Sequence, residues 1–304
     1  MFQILDFTGL RLLYFSRVRR LSSKPSKAMA SRVRSAISLN KRSYRDRHNR
    51  ILLEGLRIVH DALLANMEPI TIFYSNKNLI DKLTSKLPSR YFVPVDDKTM
   101  KNLSTALTPP GIVGVFKKPC SQLKIKSNVL PLTVICDRVK DPSNLGTIVR
   151  TCAAAGCQAL ITTEYSTDLW DPKVLRGGAG GHFRVPLYGL LSWKQIADML
   201  GDDTRLYLAE SDNTGHIKPL KPYFEVDWTL GPSALIVGGE TTGISTEAQM
   251  LACGERGQAV HIPMVGNLDS LSAGISVALI VYEAFRQING LVSHKNVKDK
   301  NTWP

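Results

Sequence analysis

The sequence lacks the features of a membrane protein, a disulfide scaffold or a zinc site. None of its apolar runs reaches the roughly eighteen residues that a membrane-spanning helix needs. Its five cysteines form no Cys-x-x-Cys pair and three stand among apolar or small residues, so we expect buried reduced thiols and no bound metal. With 304 residues and 43% hydrophobic content, the chain is long enough for two domains that each have a core.

Acidic residues are scarce in the first fifty positions, which hold thirteen Lys and Arg against two Asp. Most of the net charge of +13 therefore lies there. Residues 1–40 are basic, rich in Ser and poor in acids, with short apolar clusters broken by arginine, which is typical of an organellar transit peptide. We predict that residues 1–40 are a mitochondrial transit peptide or a disordered segment, and that the protein works in the mitochondrial matrix. The alternative is a basic tail that touches RNA.

Residues 41–118 have the pattern of a small α/β domain. Between Leu52 and Leu64, apolar residues recur at three- and four-residue spacing, which predicts an amphipathic helix. Helices are also predicted over 79–87 and 97–107, the second with an aspartate cap. The predicted strands are 69–75, 90–95 and 111–118. A polar, lysine-bearing stretch, residues 119–130, has the composition of a linker.

Residues 131–304 alternate longer strands and helices. The predicted strands are 131–136, 158–163, 183–188, 204–209, 233–238 and 258–262. The predicted helices are 145–155, 171–177, 192–200 and 272–289. Such alternation favours a mostly parallel sheet with helices on both faces.

The segment DRVKDPSNLGTIVRTCAAAG (137–156) joins the first strand of this region to a helix. Dinucleotide folds need three glycines at this point and P-loops need a lysine, but only Gly146 is present, which disfavours a phosphate-bearing cofactor. Ser143 or Asn144 can cap the helix. Arg150 lies six residues beyond Asn144, on a different helical face, so by itself it reads as a surface residue.

Two later segments place glycines and small residues at the carboxyl ends of strands. ALIVGGETTGIS (234–245) surrounds Glu240 with three glycines, and in open α/β sheets this edge binds ligands. HIPMVGNLDSLSAGIS (261–276) opens a helix with small side chains, which leaves backbone N–H groups accessible. The rest of that helix is largely apolar, so it is either buried on more than one face or forms an oligomer contact.

The three segments, in this order, resemble the signature motifs of the SpoU branch of the SPOUT RNA methyltransferases. Those motifs read N-x-G-x-x-x-R-T, G-x-E-x-x-G and I-P-M-x-G…S-L-N, and residues 131–290 match throughout. Residues 41–116 resemble the RNA-binding domain that precedes the catalytic domain in many members. The resemblance implies a trefoil-knotted α/β methyltransferase domain with a parallel sheet, preceded by a small α/β RNA-binding domain of the ribosomal L30e type.

What the resemblance implies for function is transfer of a methyl group from S-adenosylmethionine to a ribose 2′-OH in ribosomal RNA. With the transit-like segment, mitochondrial large-subunit RNA is the expected substrate and a homodimer is the expected assembly. The implied cofactor-binding residues are Val237, Gly238, Gly239, Ile262, Met264, Gly266 and Leu271. The implied catalytic residues are Asn144, Arg150, Glu240, Ser270 and Ser272. Because arginine is almost never deprotonated, we expect Arg150 to orient the hydroxyl and stabilise charge.

One residue departs from the family pattern, and it leaves other functions open. Ser272 stands where the third motif has asparagine, so it lacks the amide fork. The alternatives are a catalytically weak or silent RNA-binding factor in ribosome assembly and a transfer-RNA 2′-O-methyltransferase. For phosphate contacts we predict Lys41, Arg42, Arg45, Arg47 and Arg50, although a solvated basic helix face would have the same composition.

Overall fold

The computed structural model describes residues 27–83, 87–119, 129–211, 219–266 and 270–295. For residues 291–295 it describes the backbone alone. Within these ranges the chain forms two β-sheets, each covered by its own helices. No helix of the described ranges is long and apolar enough to cross a membrane. Nor does that part of the chain bring together three His, Cys, Asp or Glu residues that could hold a metal ion.

The first sheet has four strands in the order β1-β4-β2-β3. Strand β4 is antiparallel to both β1 and β2, while β2 and β3 are parallel. The elements are, in chain order, α1 (Lys27–Ser38), α2 (Arg42–His48), β1 (Arg50–Glu54), α3 (Leu56–Leu64), β2 (Pro69–Tyr74), α4 (Lys77–Asp81), β3 (Phe92–Pro94), α5 (Asp97–Leu103) and β4 (Ile112–Lys117). The predicted aspartate cap of α5 is Asp96, whose Oδ1 accepts a hydrogen bond from the Thr99 N–H at 2.7 Å.

The amphipathic helix predicted from Leu52 onward is wrong for its first part. Residues 50–54 form β1, and the helix begins only at Leu56. Leu53 packs into one apolar cluster and Leu52 into another, on opposite faces of the sheet. A run of apolar residues that is buried on both faces cannot be assigned to helix or strand from its spacing alone. Gly55, with φ of 110°, then ends the strand.

Helix α1 lies inside the segment that was predicted as a transit peptide. Ala36 and Leu39 are 2% and 1% exposed, because they pack with Phe73 and Met100 against the first sheet. The prediction of a leader or disordered segment is therefore wrong for residues 27–40. Residues 1–26 lie outside the described residues.

The second sheet has seven strands in the order β7-β6-β5-β10-β8-β11-β9. Its pairings in the described residues are all parallel, as predicted. The elements are β5 (Leu130–Asp137), α6 (Pro142–Ala155), β6 (Cys157–Thr163), α7 (Pro172–Gly178), β7 (Leu187–Leu191), α8 (Trp193–Met199), β8 (Arg205–Ala209), β9 (Leu220–Pro222), β10 (Ser233–Gly238), α9 (Thr246–Leu251), β11 (Gly257–His261) and α10 (Ala273–Lys295). The short β9 and α9 were not predicted, and β7 begins four residues later than predicted.

Helices cover both faces of this sheet, as the alternating pattern predicted. On one face α6 and α10 pack on β5, with Val149 and Val277 in the same apolar cluster as Val134. On the other face Ile135 shares a cluster with Ile196 of α8 and residues of α9. In the parallel register Gly238 pairs with Asp137, so β5 and β10 end at the same edge and their loops meet there.

Ion pairs hold the two parts of the chain together. Arg45 of α2 pairs with Asp168 at 2.5 Å, and the side chains are 2% and 10% exposed. Arg184 pairs with Asp61 at 3.4 Å. Because the Arg45 side chain is buried and Asp168 is half-buried, water screens this charged contact between the two parts less than it screens a surface pair.

Candidate functional site

The helix of the first motif begins with an aspartate cap. Asp141 accepts a hydrogen bond from the Ser143 N–H at 2.7 Å, and Pro142 occupies the first helical position. The prediction that Ser143 or Asn144 caps α6 is therefore wrong. Asn144 is thus free to use its side-chain amide elsewhere.

The Asn144 amide joins the first motif to the second. Its Nδ2 donates a close hydrogen bond to Glu240 Oε1 and a longer one, at 3.3 Å, to Asp141 Oδ2. Asn144 and Glu240 are 96 residues apart in the sequence. An amide held by two carboxylates has a fixed orientation, which is what a positioning group requires.

The glycine-rich loop after β10 is a tight turn that has no room for a side chain at Gly238 or Gly239. The Gly243 N–H donates to the Gly239 carbonyl at 2.8 Å, and Gly243 has φ of 62°. A Cβ on Gly238 would overlap the backbone of Gly243. The backbone of this loop is therefore exposed to whatever occupies the adjacent cavity.

A buried carboxylate that was not predicted ties this loop to β5. Asp137 is 0% exposed, and its Oδ2 accepts from the Ser245 N–H at 2.7 Å. Its Oδ1 accepts from Thr163 Oγ1 at 3.2 Å, and its backbone carbonyl accepts from the Gly239 N–H at 2.9 Å. A charged residue that ends a buried apolar strand was the available signal, because such a group must find partners when it is buried.

The third motif closes against the first. Gly274, in the first turn of α10, lies against α6, and a Cβ there would stand 3.2 Å from Asn144 Oδ1. The Ser272 carbonyl accepts hydrogen bonds from the N–H groups of Ile275 and Ser276, each at 3.0 Å. Small residues are thus needed where α10 begins, because this turn packs on the helix that carries Asn144.

A cavity of about 300 Å³ lies where the loops after β8, β10 and β11 converge. The predicted cofactor residues that line it are Val237, Gly238, Gly239, Ile262, Met264 and Leu271. Glu240 and Ser270, two of the predicted catalytic residues, also line it. Gly266, Ser272, Asn144 and Arg150 do not belong to its wall.

Part of the cavity wall was missed because it comes from strands whose position the sequence does not reveal. Ala209 ends β8, which lies next to β10, and Glu210 and Ser211 follow it. Gln249 and His261 complete the polar part of the wall. Among the described residues that line the cavity there is no Lys or Arg, and Glu210 and Glu240 are its acids. Such a wall suits a neutral or cationic ligand better than a phosphate.

Arg150 stands apart from this cavity. It is exposed in the third turn of α6, next to the turn at Gly181. Within the described residues its guanidinium is in no ion pair. The structure therefore brings Asn144 into contact with Glu240 but leaves Arg150 outside the cavity wall.

The predicted phosphate contacts divide into two groups. Lys41, Arg42 and Arg47 are exposed and Arg50 is half-buried. Arg45 is buried, and the prediction of a phosphate contact is wrong for it. Its Nε and Nη2 donate to Asp168 at 3.1 and 2.5 Å, and its Nη1 donates to the carbonyls of residues 39 and 40. A buried guanidinium needs such partners, and four of the five N–H donors of Arg45 are used within the protein.

The thiols are as predicted except for one. Cys136, Cys152 and Cys157 are buried and free, whereas Cys253 is exposed and Cys120 lies outside the described residues. Burial raises the pKa of the Cys136 thiol, which lies in β5 next to Asp137. This thiol stays protonated at neutral pH and is no nucleophile.

Comparisons with known proteins agree with this geometry. A family model described as the SpoU rRNA Methylase family matches residues 131–282, and one described as the MRM3-like substrate binding domain matches residues 30–114. The human protein named rRNA methyltransferase 3, mitochondrial, is 34% identical over 296 residues, covering 82% of this chain and 70% of its own length. The 23S rRNA (uridine(2479)-2′-O)-methyltransferase of Streptomyces viridochromogenes is 28% identical over 258 residues, with 82% and 87% covered.

A solved structure has the same architecture. The SpoU methyltransferase AviRb from Streptomyces viridochromogenes, in complex with the cofactor AdoMet, matches with a TM-score of 0.74 and 26% identity over 84% of this chain and 97% of that one. The second and third motif segments line one cavity. The first segment meets them through the hydrogen bond from Asn144 to Glu240. On the family match and the identity to the human relative, this chain belongs to the SpoU rRNA methylase family.

Proposed function

We propose that this chain transfers a methyl group from S-adenosylmethionine to a ribose 2′-oxygen of ribosomal RNA, that of the mitochondrial large subunit, in the mitochondrial matrix. The names of the relatives support ribosomal RNA, 2′-O-methylation and the mitochondrion. The observation that carries the proposal is the hydrogen bond from Asn144 to Glu240, which joins the first motif to the glycine loop at the cavity rim.

The cavity fits S-adenosylmethionine. Its volume of about 300 Å³ is at the lower end of the range for small-molecule sites. The backbone of the glycine loop can approach a purine or a ribose, and the absence of Lys and Arg from the described wall suits a cofactor without phosphate. Val237, Gly238, Ile262 and Leu271 would hold it. When bound, the cofactor supplies an electrophilic methyl carbon on a cationic sulfur.

The residues of the chain then have separate tasks. Asn144, held by Glu240 and Asp141, positions the ribose, since its amide oxygen is left to face the first turn of α10. Ser270, at the cavity wall, offers a hydroxyl that both donates and accepts. Arg150 acts on the RNA from outside the wall: its free guanidinium holds the phosphate beside the target ribose and stabilises charge that develops on the 2′-oxygen.

The direct test is methyl transfer by the purified protein. Mitochondrial ribosomal RNA and methyl-labelled S-adenosylmethionine should yield a labelled 2′-O-methyl nucleoside after digestion. Binding of the cofactor without transfer to any ribosomal RNA would instead support the silent assembly factor, and transfer to transfer RNA alone would support the other alternative. Mapping of ribose methylation in cells without the protein would identify the nucleotide.

Ser272→Asn, which restores the residue of the family motif, is expected to raise kcat by up to about tenfold, because one hydrogen bond contributes roughly 1 kcal/mol. Ser272 lies at the start of α10 next to the helix that carries Asn144, so the added amide can reach the same group of side chains. Single-turnover kinetics would measure the change, with Ser272→Ala as the control. A fall of more than about tenfold in the Asn variant would mean that this turn is built for serine.

We also propose a homodimer formed through α10. Ile275, Leu279 and Tyr282 are 51%, 39% and 47% exposed and lie at positions i, i+4 and i+7, so they form one apolar stripe. A second copy with the same stripe would cover it in a two-fold contact. Sedimentation should give a dimer for the wild type and a monomer for Leu279→Glu. Leu64→Glu, at an exposed leucine of α3 that lies outside this stripe, should leave the dimer intact.

A further inference from the structure

A second concave surface lies on the first sheet, whereas the cavity beside the glycine-rich loop belongs to the second sheet. This groove, of about 480 Å³, runs between α1 and the strands β1, β2 and β4. We call it the arginine groove, because Arg32 of α1, Arg50 of β1 and Arg90 of the turn before β3 all line it. Those three residues come from distant parts of the sequence, and only Arg50 was predicted to bind RNA.

The charge of the arginine groove is uncompensated. No Asp or Glu is among the described residues that line it, and none of the three arginines is in an ion pair within the described ranges. Three guanidinium groups around one concave surface give it a positive potential, which attracts an anionic ligand. Guanidinium groups hold phosphates with paired hydrogen bonds, which makes a phosphate-bearing ligand the best match.

The groove also contains an aromatic platform. The Arg90 guanidinium lies 5.1 Å from the centre of the Tyr91 ring, and Tyr91 is half-buried, so part of its ring remains open. Stacked pairs of arginine and aromatic rings receive unpaired bases in proteins that bind single-stranded nucleic acid. A duplex hides its bases inside the helix and would leave this platform unused.

The neighbouring part of the chain is a poor occupant. Residues 1–26, which precede α1, carry five Lys and Arg and one Asp, so their charge has the same sign as that of the groove. A polyanion from outside the chain matches the charge of the groove better.

We propose that the arginine groove binds a single-stranded segment of RNA, with phosphates on Arg32, Arg50 and Arg90 and a base on the Arg90–Tyr91 pair. This inference rests on the proposed function for the kind of RNA, and it adds a contact outside the methyl-transfer site. The groove sets the affinity and register of the RNA, whereas methyl transfer takes place at the cavity beside the glycine-rich loop.

The test compares arginines of the same helix. Arg34 is exposed on α1, two residues after Arg32, but does not line the groove. Binding of a fluorescein-labelled single-stranded RNA of about twelve nucleotides should weaken about tenfold in Arg32→Gln and in Arg90→Gln and stay within about twofold of wild type in Arg34→Gln. The slope of log K against log salt concentration should become shallower by about 0.7 for each groove arginine removed. Tyr91→Ala should weaken binding about fivefold or more, and Tyr91→Phe should not.

The outcomes separate this inference from the proposed function. If Arg32→Gln and Arg90→Gln bind the RNA no worse than Arg34→Gln, the groove is not an RNA site, even if the wild type methylates RNA. If labelled polyglutamate binds the wild type and loses affinity in the groove variants while their RNA affinity stays the same, an acidic protein is the better partner. If the groove variants lose RNA binding and the wild type transfers no methyl group, the groove is an RNA site and the proposed methyltransferase function is wrong. In an active enzyme the same variants should raise KM and leave kcat unchanged.

Discussion

Replacing Arg150 with alanine is expected to lower kcat for methyl transfer by about 10²- to 10³-fold, the usual cost of removing one group that stabilises developing charge. The affinity for S-adenosylmethionine should not change, because Arg150 does not line the cavity. The fold should not change either, since the side chain is exposed and in no ion pair within the described residues. Single-turnover kinetics and calorimetric titration with the cofactor would measure the two quantities separately.

Two variants make this prediction specific. Arg150→Lys keeps the charge but loses the planar fork, so it should recover only part of the rate. Lys173→Ala removes an exposed cation from the neighbouring helix α7 and should leave kcat unchanged. If the Arg150→Ala protein has the wild-type rate, Arg150 is a surface residue without a catalytic role. If the variant loses affinity for S-adenosylmethionine, Arg150 contacts the cofactor, contrary to its position outside the cavity wall.

Arg45→Ala is expected to destabilise the protein by about 3–5 kcal/mol, the range for removing one partner of a buried ion pair. The variant leaves the Asp168 carboxylate, which is 10% exposed, without its guanidinium. It also removes the donor to the carbonyls of Leu39 and Asn40. Urea unfolding followed by circular dichroism would measure the change.

An exposed pair on the same helix provides the control. Arg42 pairs with Asp46 at 3.3 Å with side chains 54% and 44% exposed, so Arg42→Ala should cost no more than about 1 kcal/mol. The double variant Arg45→Met with Asp168→Leu should be more stable than Arg45→Ala, because no unpaired charge is left buried. If Arg45→Ala unfolds like wild type and instead weakens RNA binding, the phosphate contact predicted from the sequence was correct and the ion pair has no structural role.

The parts of the fold that follow from local pattern could be predicted. The strands at 69–74 and 233–238 match their predictions closely because turn residues or apolar runs bound them on both sides. The run RILLE was wrongly assigned in part to a helix, since residues that are buried on both faces of a sheet show neither the helical nor the strand period. Helix α1 was hidden by a basic, Ser-rich composition that it shares with transit peptides, although Ala36 and Leu39 supply enough apolar surface to dock it.

By itself, the sequence determined that the second domain is a parallel α/β sheet and that three segments, which resemble the SpoU motifs, mark its carboxyl edge. These properties depend on residue type and spacing along the chain. Only the tertiary structure decided that Asn144 meets Glu240, that β8 supplies part of the cavity wall, that Arg45 is buried against Asp168, and that Arg32 and Arg90 share a groove. Each of these contacts joins residues that are far apart in the sequence. They are brought together by the order of the strands and the docking of the helices, which local sequence patterns do not reveal.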